Sequence, residues 1–94
     1  MLTVTNAALE RLLGKLSRRK AAENVVLRLK QAAGRWRLRF DRVLPDDAAF
    51  AIDGRKVLVL DGAAVEATSS MTLGVRTTKT GPRLKLRRAG KTGG

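Results

Sequence analysis

The sequence predicts an α+β fold, mainly β: a small β-sandwich of short strands with one N-terminal amphipathic helix. Three observations predict it. The first twenty residues carry leucines at helical spacing, and from Val25 onward the apolar period switches to two. The alternating runs are separated by glycine, proline and aspartate turn signals. At 94 residues the chain has the size of one ordinary domain, and no linker, internal repeat or low-complexity block divides it. Residues 1–88 are therefore expected to form a single domain and residues 89–94 a disordered tail.

After a short apolar start at Leu2 and Val4, Thr5 is placed to cap a helix, and Leu9, Leu12, Leu13 and Leu16 follow at i, i+3, i+4 and i+7. The helix should run from about Asn6 to Lys20, with Arg18, Arg19 and Lys20 where the helix dipole favours cations. Gly14 inside it costs about 1 kcal/mol, so the helix depends on packing. In the next segment Val25, Leu27 and Leu29 alternate with Arg28 and Lys30. Beyond the turn Gln31-Ala32-Ala33-Gly34, Trp36, Leu38 and Phe40 alternate with Arg35, Arg37 and Arg39. These runs read as a hairpin with one apolar and one cationic face, which places Trp36 and Phe40 in the core beside Leu38, under the leucine stripe of the helix.

Pro45-Asp46-Asp47 breaks the chain, after which Phe50 and Ile52 lead into Asp53-Gly54, a strong hairpin signal. The run Lys56-Val57-Leu58-Val59-Leu60 is apolar on both faces from Val57 onward, as a central strand should be. Asp61-Gly62 ends it, and residues 63–70 read as a short helical turn or loop. Met71, Leu73 and Val75 then alternate with Thr72, Gly74 and Arg76; after Thr80-Gly81-Pro82, Leu84 and Leu86 alternate with Arg83, Lys85 and Arg87.

Aromatic residues make up only 3% of a chain that is 44% hydrophobic, so the core must be aliphatic. Lysine and arginine number 20 against 8 acidic residues, a formal net charge of +12. That balance favours anionic partners: nucleic acid, an acidic membrane surface or an acidic protein. The first twenty residues place Glu10, Arg11 and Lys15 among the leucines, which fits neither a secretory signal nor a membrane span, and cytoplasm is the expected compartment.

The cations of the strands are the candidate site. Arg28, Lys30, Arg35, Arg37, Arg39, Arg76, Arg83, Lys85 and Arg87 all alternate with apolar residues. If their strands share one sheet face, they form a dense field that would bind an acidic protein or the phosphate backbone of a nucleic acid. The strand array, held in register by the sheet, is expected to carry that binding ahead of the helix-end cluster Arg18-Arg19-Lys20. With Trp36 and Phe40 assigned to the core there is no stacking platform, so nucleic-acid binding would be sequence-nonspecific.

Motifs for catalysis fail on context. Gly90-Lys91-Thr92 resembles the end of a phosphate-binding loop, but the position of its first glycine is Lys85. Lys79-Thr80-Gly81 sits between two alternating runs and reads as a hairpin turn. Without histidine or cysteine, the remaining acid–base candidates are scattered carboxylates, and Asp46-Asp47 after Pro45 reads as turn chemistry. No enzymatic activity and no cofactor are expected.

The order of elements resembles the HesB-like family of A-type iron-sulfur carriers over nearly the whole chain. The resemblance rests on the opening Leu2-Thr3-Val4-Thr5-Asn6-Ala7-Ala8, the strand Leu27-Arg28-Leu29 and Pro45-Asp46-Asp47. It continues in Asp53-Gly54 with Val57-Leu58-Val59-Leu60-Asp61 and a closing stretch through Leu73 and Leu84. The family places one cysteine in the turn after its first long strand and a Cys-Gly-Cys segment near its C-terminus. Here the turn is Gln31-Ala32-Ala33-Gly34 and the closing segment Arg88-Ala89-Gly90-Lys91-Thr92-Gly93-Gly94. The resemblance thus implies the family's fold without its cluster ligands, and no residue inherits a ligand role. The expected function is a non-catalytic HesB-like interaction module that binds no cluster and engages a protein or anionic partner through a cationic sheet face. The alternative is a basic, sequence-nonspecific nucleic-acid-binding protein, and homo-oligomerisation stays open in both.

Overall fold

The computed structural model describes residues 1–20, 22 and 24–88. The expected tail at residues 89–94 lies outside the described residues. In chain order the elements are β1 (Thr3–Val4), α1 (Asn6–Arg18), β2 (Val25–Ala32), β3 (Arg35–Arg42), β4 (Ala48–Ile52), β5 (Arg55–Leu60), α2 (Gly62–Ala67), β6 (Met71–Thr78) and β7 (Gly81–Arg88). The fold is α+β and mainly strand, with the amphipathic helix near the N-terminus.

Thr5 caps α1 as its position requires: its backbone is extended and its Oγ1 accepts a hydrogen bond from the Ala8 amide at 3.1 Å. The leucine stripe divides by depth, with Ala8, Leu12 and Leu16 fully buried and Leu9 and Leu13 half-buried. Asp61 caps α2 in the same way, accepting from the Ala64 amide at 2.8 Å.

Two sheets enclose α1. One has the order β3-β2-β5-β4, with β2 and β5 parallel and its two edge strands antiparallel to them. The other has the order β1-β6-β7. The helix packs against β6 on one side and against β2, β5 and β4 on the other. Leu27, Leu29, Leu58 and Leu60 meet Leu12 and Leu16 in one cluster that also takes in Leu73, with Val75, Leu84 and Leu86 packed against it. Val57 to Leu60 is wholly buried, as a central strand demands, and β2 shares that central place.

Both hairpins of the larger sheet close through two-residue turns with positive φ at each residue, Ala33 (51°) with Gly34 (76°) and Asp53 (53°) with Gly54 (77°). That is the mirror-image turn whose twist matches the flanking strands. The aspartate-glycine pair is the usual solution; Ala33 reaches the same conformation without a side chain suited to it.

The connection from β3 to β4 runs from one edge of the larger sheet to the other. Arg42 lies level with Val25 at one end of the sheet, and Ala48 lies level with Leu60 at the other. Residues 43–47 form a diagonal strap that contains a turn, in which the Asp47 amide donates to the Leu44 carbonyl at 3.0 Å, and since α1 occupies the opposite face, the strap crosses the face that carries Arg28.

Candidate functional site

The expected cationic array is divided by the fold. Its strands belong to two sheets, not one, so the nine cations do not share a face. Arg28 leaves the set altogether. It is 6% exposed, on a central strand, and its guanidinium is spent on the strap. Nε donates to Asp41 Oδ2 at 2.7 Å, Nη1 to Asp47 Oδ1 at 2.9 Å, and Nη2 to both Asp47 Oδ2 at 2.6 Å and the Arg42 carbonyl at 3.1 Å. The two carboxylates are fixed in turn: Asp41 Oδ1 accepts from the Arg42 amide at 2.8 Å and Asp47 Oδ2 from the Leu44 amide at 2.7 Å. Asp47 is thus more than turn chemistry; it ties the strap to the sheet.

Hydrogen bonding to Asp47 raises the Arg28 pKa further above its already high value, and the bonds from Arg28 hold Asp41 and Asp47 below the usual aspartate range. All three groups are therefore charged at neutral pH. Val26 and Val59, on the same face as Arg28, are almost wholly buried beneath this arrangement.

The other eight expected residues are exposed. Lys30, Arg35, Arg37 and Arg39 stand on the β2–β3 hairpin, where Lys30 lies directly opposite Arg37. Arg76, Lys85 and Arg87 surround an open depression over Gly74, and Arg76 lies directly opposite Arg83. Like charges facing each other across a ladder are destabilising. Among the described residues no carboxylate lies within ion-pair distance of any of these eight.

Trp36 is half-buried: it packs against the edge of the core cluster and also lines a cleft with Asp61, Ala63, Ala64 and Ala67 beside α2. Leu38 is half-buried beside Lys15 of α1. Phe40 is not a core residue: it is 41% exposed, and the Arg19 guanidinium sits 4.6 Å from its ring centroid. Because β3 is an edge strand, the apolar face of its far end runs out beyond α1. Arg11 and Lys15, which the sequence reading left out, join Arg83 around Leu38 and Leu84 in a depression between α1, β3 and β7. Their helical spacing was visible in the sequence; the strands opposite them were not.

The residues do not fit an iron-sulfur cluster or zinc. Such sites need thiolate or imidazole donors at about 2.0–2.3 Å. The 94 residues include no cysteine and no histidine. Among the described residues no three carboxylates gather where a metal ion could sit, and the Gln31–Gly34 hairpin end offers only amide groups. No helix among the described residues is long and apolar enough to cross a membrane.

A mixed four-stranded sheet and a small second sheet wrapped around one N-terminal helix is the architecture of the HesB-like iron-sulfur carrier proteins, and this chain has that fold without a cysteine. It is similar to SufA of Escherichia coli, a protein involved in biosynthesis of iron-sulfur clusters. That match has a TM-score of 0.62 at 22% identity and covers 93% of this chain and 79% of SufA. An IscA structure holding a [2Fe-2S] cluster matches with a TM-score of 0.59 at 20% identity over 94% of this chain and 85% of that one. A protein from Aquifex aeolicus, whose structure was solved by NMR, matches with a TM-score of 0.61 at 22% identity over 93% of this chain and 90% of its own. No protein-family model matches the sequence, and no curated protein matches it.

Proposed function

We propose that this chain is a non-catalytic interaction module with a HesB-like fold that carries no cluster and binds an acidic protein partner through its exposed cations. The observation that carries the reading is a fold shared with cluster carriers, stripped of sulfur ligands, on which eight strand cations are exposed with no carboxylate partner among the described residues. At a net charge of +12 the chain repels itself, and an anionic partner would relieve that repulsion. The strand cations Lys30, Arg35, Arg37, Arg39, Arg76, Arg83, Lys85 and Arg87 are pre-arranged for that purpose.

The test is a salt titration of binding to labelled polyglutamate and to random duplex DNA. Polyglutamate binding that survives moderate salt, with weaker duplex binding, supports the acidic-protein reading. Tighter duplex binding, with an affinity that falls with salt at a slope of about 0.9 per phosphate contact, moves the function to nucleic acid. Absence of binding to both at low ionic strength overturns the module reading.

A further inference from the structure

The groove between α1, β3 and β7 differs from the rest of the cationic surface in having an apolar floor. Along its helical rim lie Arg11, Lys15, Arg18 and Arg19, at i, i+4, i+7 and i+8, a row about 12 Å long. Arg83 stands on the opposite rim. Leu38 is common to the two depressions that make up the groove, of about 240 and 420 Å³, with Leu27 and Phe40 beneath one and Leu84 beneath the other.

No carboxylate lines either depression, and among the described residues none of the five cations makes an ion pair. The Arg11 Nε is buried and has no hydrogen-bond acceptor among the described residues, so this arginine reaches the groove through its outer guanidinium atoms.

We propose that this groove is the docking site for an acidic amphipathic helix of a partner protein. The inference rests on the module reading above and narrows it to one surface and one kind of ligand. Five unopposed cations select an anion, and the leucine floor selects one that brings apolar side chains with it. An amphipathic helix does both, laying apolar anchors at i, i+3, i+4 and i+7 into the groove while carboxylates on its flank meet the rim. A row of about 12 Å matches two turns of such a helix. A nucleic-acid strand would meet the rim but leave the leucines uncovered. It would also find its one aromatic surface, Phe40, already covered by Arg19. The exposed strand cations outside the groove then act as a long-range field that steers the partner.

The experiment uses the full chain and a labelled synthetic helical peptide with leucines at i, i+3 and i+7 and glutamates along one flank, read by fluorescence anisotropy at low ionic strength. A scrambled peptide of the same composition and a single-stranded oligonucleotide of the same charge are the controls. Lys15→Glu/Arg83→Glu is compared with Arg37→Glu/Arg39→Glu, which changes net charge equally but lies on the hairpin. The expected result is binding that the scramble weakens about tenfold, that the groove pair weakens by at least about tenfold and that the hairpin pair weakens by less than about threefold. In the unmodified chain, backbone amide resonances of Leu38 and Leu84 should shift on adding the peptide, a readout independent of whether the variants fold. Equal binding of the scramble, or equal losses in the two variants, overturns the groove while leaving the module reading standing. Tighter binding of the oligonucleotide at the same resonances overturns the helix as occupant. No binding by any acidic probe overturns the groove and the module reading together.

Discussion

Arg28 on β2 grips Asp47 at the end of the β3–β4 strap through two parallel hydrogen bonds, Nη1 to Oδ1 at 2.9 Å and Nη2 to Oδ2 at 2.6 Å. The Asp47 side chain is 2% exposed and that of Arg28 is 8% exposed, so each is the chief neutraliser of a charge that water cannot reach. The pair fixes the turn-containing connection as a lid over Val26 and Val59. It also explains why an arginine can stand on a central strand.

Removing one partner should therefore cost far more than the pair itself contributes. Asp47→Ala leaves the Arg28 guanidinium buried with only Asp41 and a carbonyl, and Arg28→Met leaves Asp47 buried without a cation. Either change should lose about 3–5 kcal/mol in urea unfolding, whereas the double variant should recover a large part of that loss. Additive losses would show that the two residues act independently.

The same contacts set the acid sensitivity. Asp41 and Asp47 are held below the ordinary aspartate range chiefly by Arg28, so in acid the unfolded chain takes up protons before the folded one does. Their contribution is fully present above the ordinary aspartate value and is lost as pH falls through their lowered folded values. Urea midpoints should thus be flat near neutrality and fall on acidification. In Asp47→Asn the fall should be shallower, because that site no longer titrates.

The turn at Ala33 offers the opposite effect. Ala33 holds φ at 51° in a turn that Asn-Gly adopts more readily than Ala-Gly. Ala33→Asn should raise stability by about 0.5–1 kcal/mol, read as an increased urea midpoint with unchanged slope. A lower midpoint would mean that the turn is held open by something other than its own residues.

Much of this fold was legible because its signals are local. Thr5 and the leucines fix α1, Asp53-Gly54 fixes a hairpin, and the period of two in Leu84-Lys85-Leu86 fixes β7. What could not be read was which strands lie side by side. Arg28 and Arg37 look alike in an alternating pattern, and only the strand order shows that one is central and capped by a strap while the other is on an edge. Phe40 shares its period with Leu38 yet reaches past the helix, because alternation assigns a face and not how far the covering element extends. The groove cations of α1 were passed over for the same reason, since the apolar floor beside them comes from β3 and β7.

Cluster chemistry gives a direct test of the missing donors. Anaerobic incubation with iron and sulfide should leave the purified chain without a stable visible absorption band, since its carboxylates are hard ligands and the 94 residues offer no thiolate or imidazole. A band that co-elutes with the protein on gel filtration would require a ligand set that this sequence does not contain.

Three side chains of graded depth test the packing. Leu12 is fully buried between the sheets, Leu38 is half-buried on an edge strand opposite Leu29, and Arg37 is exposed opposite Lys30. Leu12→Ala removes contacts on every side and should cost about 2–5 kcal/mol. Leu38→Ala should cost about half as much, because the surrounding groove is open and water already reaches part of the site. Arg37→Ala removes no packing and relieves a like-charge pair, so its effect should lie within about 0.5 kcal/mol of zero and lean toward stabilisation, most visibly at low salt. The order Leu12, Leu38, Arg37 follows from which face of β3 meets α1; comparable losses at positions 37 and 38 would place both residues on the same face and contradict the register with β2.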